Sequence, residues 1–156
     1  MTIATSVMNT LTSVHTEYEV VAHPKSFSSA ETAAAAHVPD DHIAKSVLLK
    51  DDAGYLLAVI PASHWVDFHR LRDDLGRDLQ LATEDEIERL FVDCDPGAAP
   101  PLGDVYGVET VLDESLTSLA HVYFEAGDHE RLIKVDADQF KVLMQGVRHG
   151  HFSDET

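Results

Sequence analysis

Two apolar runs, Lys45 to Leu49 and Tyr55 to Ile60, flank the tetrapeptide Asp51-Asp52-Ala53-Gly54. Short apolar runs on either side of such turn residues read as a β-hairpin. Both runs are apolar at successive positions, so both faces of the hairpin must be covered. That requirement excludes a sheet with one wet face. The rest of the chain must supply a layer on each side.

The flanking sequence contains suitable elements. Val7, Met8, Leu11 and Val14 recur at helical spacing over residues 4–14. Tyr18 to Ala22 reads as a strand that stops at His23-Pro24. Ser28-Ser29-Ala30-Glu31 is a capping box opening an Ala-rich helix that ends near Val38-Pro39. Trp65, Phe68, Leu71 or Arg72, and Leu75 share a helical register over Trp65 to Leu75. Thr83-Glu84-Asp85-Glu86 is a second capping box, for a helix through Leu90. Thr110 to Leu112, His121 to Glu125 and Leu132 to Val135 read as strands, the last two joined at Ala126-Gly127-Asp128. Asp136 caps a final helix through Met144, and residues 145–156 read as a frayed tail. The expectation is one α/β or α+β domain, residues 1–156, around a mixed sheet.

Charge limits the function classes. The chain holds 28 Asp and Glu against 11 Lys and Arg, a net −17 over 156 residues. Such a balance excludes a nucleic-acid protein built on a basic stripe. The excess is uneven: residues 1–78 carry −5 and residues 79–156 carry −12. Segment 23–77 holds 6 basic and 8 acidic residues, so it is nearly neutral. Cys94 is the single cysteine, which leaves no disulfide framework and no cysteine-based zinc site. No apolar run approaches the roughly 18 residues of a membrane span. Met1 to His15 has no Lys or Arg and no apolar core, unlike a signal peptide, so the expected compartment is the cytosol.

Two features could carry chemistry. Lys45 begins an otherwise apolar strand, on the same face as Val47 and Leu49. A lysine there either snorkels to water or is held beside an anion. Gly97-Ala98-Ala99-Pro100-Pro101-Leu102-Gly103 is a loop in which glycine permits close backbone approach and two prolines add rigidity. Its N–H groups could bind a carbonyl oxygen, or it could be an ordinary surface connection. The ten histidines show no zinc-ligand spacing, so no metal or other cofactor is expected. No Gly-x-Ser-x-Gly elbow occurs, which disfavours a serine esterase.

Taken in order, these segments resemble a known family. Ala44-Lys45-Ser46-Val47-Leu48-Leu49 is followed by Pro96-Gly97-Ala98-Ala99-Pro100-Pro101-Leu102-Gly103, Val111-Leu112-Asp113 and Val122-Tyr123-Phe124-Glu125-Ala126-Gly127. With the approach Tyr18 to Pro24, this resembles the YbaK/prolyl-tRNA synthetase-associated editing domains, over residues 18–144. The resemblance implies a mostly antiparallel, barrel-like mixed sheet flanked by helices. It also implies hydrolysis of the ester joining a wrong amino acid to the tRNA 3′ end. A second hydrolytic sieve is needed because one pocket rejects a near-isostere by only about 10–200-fold.

By resemblance, Lys45 is essential and contacts the terminal adenosine or the ester. The loop from Gly97 to Pro101, with Ala98 and Ala99, holds the aminoacyl carbonyl through its backbone, and water attacks. Ser46, His23, Phe27, Gly127 and His129 are candidate pocket walls, each with a purely structural role as the alternative. The cysteinyl-tRNA branch carries Ser-Gly-Gly where this chain has Glu125-Ala126-Gly127, and an Asp at the position of Leu132. Ala, Ser and Thr esters therefore stay open. The implied partners are the acceptor end of an aminoacyl-tRNA and a synthetase or elongation factor, with neither DNA nor membrane. A non-catalytic module binding a tRNA end or a synthetase is the alternative.

Overall fold

The hairpin forms as its turn residues require. Ile43–Asp51 and Gly54–Pro61 pair antiparallel, from Ala44 opposite Pro61 to Asp51 opposite Gly54. Asp51 Oδ1 accepts from the N–H groups of Ala53 (2.9 Å) and Gly54 (3.1 Å). Gly54 takes a φ of +135°, a conformation that a side chain would disfavour. The computed structural model describes residues 3–26, 28–95 and 97–155.

In chain order the elements are α1 (Thr5–Ser13), β1 (Glu19–Ala22), α2 (Ser29–Ala36), β2 (Ile43–Asp51), β3 (Gly54–Pro61), β4 (His64–Val66) and α3 (Phe68–Leu75). There follow β5 (Gln80–Leu81), α4 (Glu84–Leu90), β6 (Glu109–Asp113), β7 (His121–Glu125), β8 (Arg131–Asp136), α5 (Ala137–Leu143), β9 (Arg148–Gly150) and β10 (Ser153–Glu155). The main sheet runs β1-β8-β7-β2-β3-β6-β9, with β5 beside β2, while β4 and β10 form a separate pair. Five strand pairings are antiparallel, and β2–β7, β3–β6 and β6–β9 are parallel. The mixed α/β architecture is the expected one, but its barrel-like core is an open sheet that ends at β1 and β9.

The hairpin is covered on both faces, as its apolar alternation demands. Leu48, Leu57 and Val59 pack with Val7 and Leu11 of α1, Phe91, and Phe140 of α5. On the opposite face Leu49, Leu56, Ala58 and Ile60 pack with Leu71 of α3 and with Phe152. A third group joins Ile43 and Leu132 to Ala33 of α2. Each fully buried side chain of this size contributes roughly 1.5–3 kcal/mol.

The helix starts follow their caps. Thr83 accepts from the Glu86 N–H, and the Glu86 carboxylate returns a bond from the Thr83 N–H, closing the capping box of α4. Glu86 also accepts from Lys50 Nζ (2.8 Å) and Tyr55 Oη, which ties α4 to the hairpin. Ser28 accepts from the Glu31 N–H (3.1 Å) at the start of α2.

Two expectations fail. Trp65 is not helical: it lies on β4, opposite Asp154 of β10, and is 68% exposed. The carboxylate of Asp67 caps α3 by accepting from the Arg70 N–H (3.0 Å), so the helix begins at Phe68. Residues 145–156 are not a frayed tail. β9 adds parallel to β6, and Phe152 is buried, its N–H donating to Asp113 Oδ1 (3.0 Å). Phe152→Ala therefore leaves a cavity between the hairpin and α3. Its expected cost is about 3–5 kcal/mol, measured by chemical denaturation. A loss below about 1 kcal/mol would show that the C-terminal segment does not anchor this core.

Candidate functional site

The β2 edge away from β3 is only partly used. It pairs with β7 at Ile43 and Ala44, and with β5 at Leu49 and Lys50. Among the described residues no strand pairs with this edge between Ala44 and Leu49. The backbone of Lys45, Ser46 and Val47 runs through that gap. The Ser46 hydroxyl is buried there with no hydrogen-bond partner among the described residues. A buried polar group without a partner is uncommon and invites a ligand.

Lys45 points away from Ser46, by strand alternation, into a cleft of about 340 Å³. Ser28, Ala30, Asp40, Ala62, Ser63, His64 and Trp65 line the cleft with it. The size suits a small-molecule moiety. Lys45 Nζ donates to the backbone carbonyl of His64 (3.0 Å) and lies 5.8 Å from the centre of the Trp65 ring. Both partners are neutral. Burial accordingly holds the Lys45 ammonium below the usual lysine range. Three other cations of this half of the chain are ion-paired: Lys50 with Glu86, Arg70 with Asp154, and Arg77 with Asp51 and Glu109. Lys45 thus offers positive charge to an incoming anion or polarised carbonyl without first breaking an ion pair.

The proline-rich loop lies elsewhere around β7. Gly97 is exposed with a φ of +80°, Ala98 is fully buried, and Pro101 borders a separate groove with Thr10, Val14 and Val142. The loop is joined to the β7–β8 turn through the Asp95 N–H, which donates to the Gly127 carbonyl (2.8 Å). Residues 97–101 do not line the Lys45 cleft. Gly127 has a structural reason to be glycine: φ is +105°, and a Cβ would meet the Ala4 Cβ at 2.8 Å. Cys94, beside this turn, is no nucleophile, because burial pushes its thiol up to about 12.

Beneath the first turns of α2 lies a buried polar cluster. Glu125 Oε1 accepts from Thr32 Oγ1 (2.8 Å) and stands 3.9 Å from His129 Nδ1. Ser26 bonds the Thr32 hydroxyl, and its N–H donates to the His129 carbonyl (3.2 Å). The His23 N–H donates to the Glu130 carbonyl (2.9 Å). His129 has a φ of +57°, a left-handed conformation uncommon for a side-chain-bearing residue. Lys45 and Glu125 each follow the paired residues Ala44 and Phe124, so by strand alternation they share a sheet face although they are not themselves paired. The expected wall residues His23 and His129 meet here, whereas Ser46 faces the other side of the sheet. Phe27, and Pro96 of the loop motif, lie outside the described residues. Among the described residues no group of three or more His, Cys, Asp or Glu is placed to hold a metal ion.

The model of the aminoacyl-tRNA editing domain matches residues 23–143. The chain belongs to this family. Within it, the chain is 29% identical over 123 residues to a proline–tRNA ligase of Trichlorobacter lovleyi, covering 78% of this chain and 20% of the ligase. It is 31% identical over 122 residues to the proline–tRNA ligase of Staphylococcus aureus, covering 70% and 21%. The chain thus spans about a fifth of the length of these relatives. A crystal structure of a candidate trans-editing enzyme for prolyl tRNA synthetase superposes with a TM-score of 0.81 at 22% identity, covering 98% of this chain and 99% of that one. A hypothetical protein superposes at 0.83 and 21%, covering 96% and 99%. These structures share the editing-domain fold.

Trp65, Glu125, Thr32 and Ser63 are site residues that sequence reasoning missed. Trp65 carried a signal as the single tryptophan of the chain, and Glu125 as part of the Val122–Gly127 motif. Glu125 generates a pH prediction. Burial raises its carboxyl above the ordinary range, against the Thr32 hydroxyl and the nearby His129 and His23, while Asp128 adds to the rise. A raised folded-state pKa gives stability that is complete below the ordinary glutamate value and lost as pH rises through the folded value. Glu125→Gln should match the wild type near pH 4.5 and melt progressively higher than it toward pH 8. Parallel thermal melts check this, and curves that stay parallel across the range would contradict it.

Proposed function

We propose that the chain, as one editing domain over residues 1–156, hydrolyses the ester of mischarged aminoacyl-tRNA in the cytosol. The observation that carries this reading is Lys45: a half-buried ammonium bonded only to a neutral carbonyl, on a cleft of an editing domain. Charge held in a partly desolvated site acts more strongly than in water and needs no reorganisation as the oxyanion forms. In this reading Lys45 exchanges the His64 carbonyl for the acceptor end and holds the ester. The Gly97–Pro101 loop lies outside this cleft, so in this reading it makes no contact with the ester held at Lys45. A water molecule attacks the ester carbon. The ester C–O bond breaks, the ribose oxygen takes a proton, and the free amino acid leaves.

An aminoacyl ester is already activated, so positioning and one or two donors suffice. A single oxyanion donor contributes roughly 10²–10³ in rate. The substrate side chains proposed are small, of the Ala, Ser or Thr type. The His23–Glu125–His129 cluster, on the Lys45 face of the sheet, holds polar groups available to tell them apart. The relatives are proline–tRNA ligases, so tRNA(Pro) and its synthetase are the first substrate and partner to try. With net charge −17, binding rests on a few phosphate contacts and shows a shallow salt dependence.

Lys45→Ala should lower the rate on the best mischarged tRNA by at least about 100-fold, with the thermal melt retained. Activity near the wild-type level would remove Lys45 from the mechanism. The enhancement over spontaneous hydrolysis should fall as pH rises through the lowered Lys45 value, because deprotonation removes the charge that acts. A panel of Ala-, Ser-, Thr-, Cys- and Pro-charged tRNA tests the reaction itself. If none is hydrolysed above background while tRNA still binds, the non-catalytic binding module is the correct reading.

A further inference from the structure

Trp65 is a large aromatic side chain set in the open beside a cation. It is 68% exposed, yet its backbone is fixed: β4 pairs with β10, placing Trp65 opposite Asp154. Arg70 holds the Asp154 carboxylate at 3.0 Å, so the strand behind the ring is pinned from a third element. The ring borders the Lys45 cleft, with Lys45 Nζ 5.8 Å from its centre. The Ser63 hydroxyl lines the same cleft, buried and without a hydrogen-bond partner among the described residues. A rigid exposed ring, a cation and an unused hydroxyl at one cleft are the groups that recognise an unpaired nucleoside. The base stacks on the ring, the cation meets the oxygens of the nucleotide's ester or phosphate, and a ribose hydroxyl or base edge takes the hydrogen bond.

We infer that Trp65 is the stacking platform for the terminal base of the acceptor strand, and so a binding residue of this site. The inference rests on the deacylase reading for its substrate, but not for its chemistry. A protein partner seated on the ring is the competing use of the same exposure. The juxtaposed ammonium and the free Ser63 hydroxyl favour the nucleoside, since both would be wasted against an apolar partner surface. Asp40, also in the lining, disfavours phosphate on its side. The phosphodiester is therefore expected away from Asp40, and the ester end of the ribose on the Lys45 side.

Trp65 is the single tryptophan of the chain, so its emission reports on this ring alone. The cytidine-cytidine-adenosine trinucleotide should quench it saturably, and the same trinucleotide ending in an abasic ribose should not. Trp65→Ala should raise KM for the mischarged tRNA roughly 10- to 100-fold with kcat changed little, and Trp65→Phe should recover part of the loss. Equal quenching by both trinucleotides, or KM unchanged in Trp65→Ala, overturns the assignment and leaves the ring to a protein partner. Quenching by the adenosine-ended trinucleotide without hydrolysis of any aminoacyl ester would overturn the deacylase reading and keep the platform. Hydrolysis that ignores Trp65 would do the reverse.

Discussion

Two residue pairs hold the two halves of the sheet together. Ile43 and Ala44 of β2 lie beside Tyr123 and Phe124 of β7, and this short parallel contact joins β1-β8-β7 to β2-β3-β6-β9. Parallel pairing is somewhat weaker per residue than antiparallel. Burial makes up the difference, since Ile43, Ala44 and Phe124 are almost wholly inaccessible to solvent. Beyond Phe124 the chain turns away at Ala126, whose carbonyl accepts from the Ala4 N–H (2.8 Å) rather than from β2. The N-terminal segment therefore takes the partner that β2 would otherwise have had. The gap in the β2 edge starts at Lys45 because the sheet stops pairing there.

That placement accounts for the character of the lysine. A side chain in the middle of a covered sheet would be buried completely, and an ammonium there would need a carboxylate. A side chain on a free loop would be fully hydrated, and its charge would be screened. Lys45 has a strand's rigidity and half a loop's exposure. Its charge is held in place by one carbonyl and one ring face. The arrangement is costly for stability, because burial disfavours the charged form, and among the described residues no carboxylate pairs with the ammonium. The remaining interaction energy is available to a ligand.

Local chemistry was legible in the sequence, and long-range chemistry was not. The capping box at Thr83 and Glu86, the Asp51–Gly54 turn and the two-faced hairpin are each decided within a few residues, and each forms as read. The family was legible too, from the order of short motifs around Lys45 and Gly97. Trp65 was misread because Trp65, Phe68, Leu71 and Leu75 keep one helical register across a strand–helix boundary. Only the Asp67 cap divides them, and an aspartate looks the same whether it caps a helix or sits inside one. The C-terminal segment was misread for a different reason. Its strands are three residues each, and its burial rests on Phe152 reaching Asp113 and the hairpin core, contacts with no local signature. The Glu125–Thr32–His129 cluster likewise joins positions about 93 residues apart, which no spacing rule connects.

The misread tail also bears on the charge. The acidic excess of residues 79–156 would make one acidic half of the molecule if the halves of the sequence were also halves of the fold. The fold instead threads β9 and β10 back to the N-terminal half, so Asp154 lies behind Trp65 and is matched by Arg70. Asp51 and Glu86 are matched in the same way by Arg77 and Lys50. Behind Trp65 and along the hairpin, then, these acidic groups are each matched by a cation. Lys45 stands out in that setting because its partners are neutral. A molecule of net charge −17 can receive a polyanion at such a point only by admitting a short, single-stranded end. The acceptor terminus of a tRNA is such an end: unpaired, stackable and carrying its reactive ester on the last nucleotide.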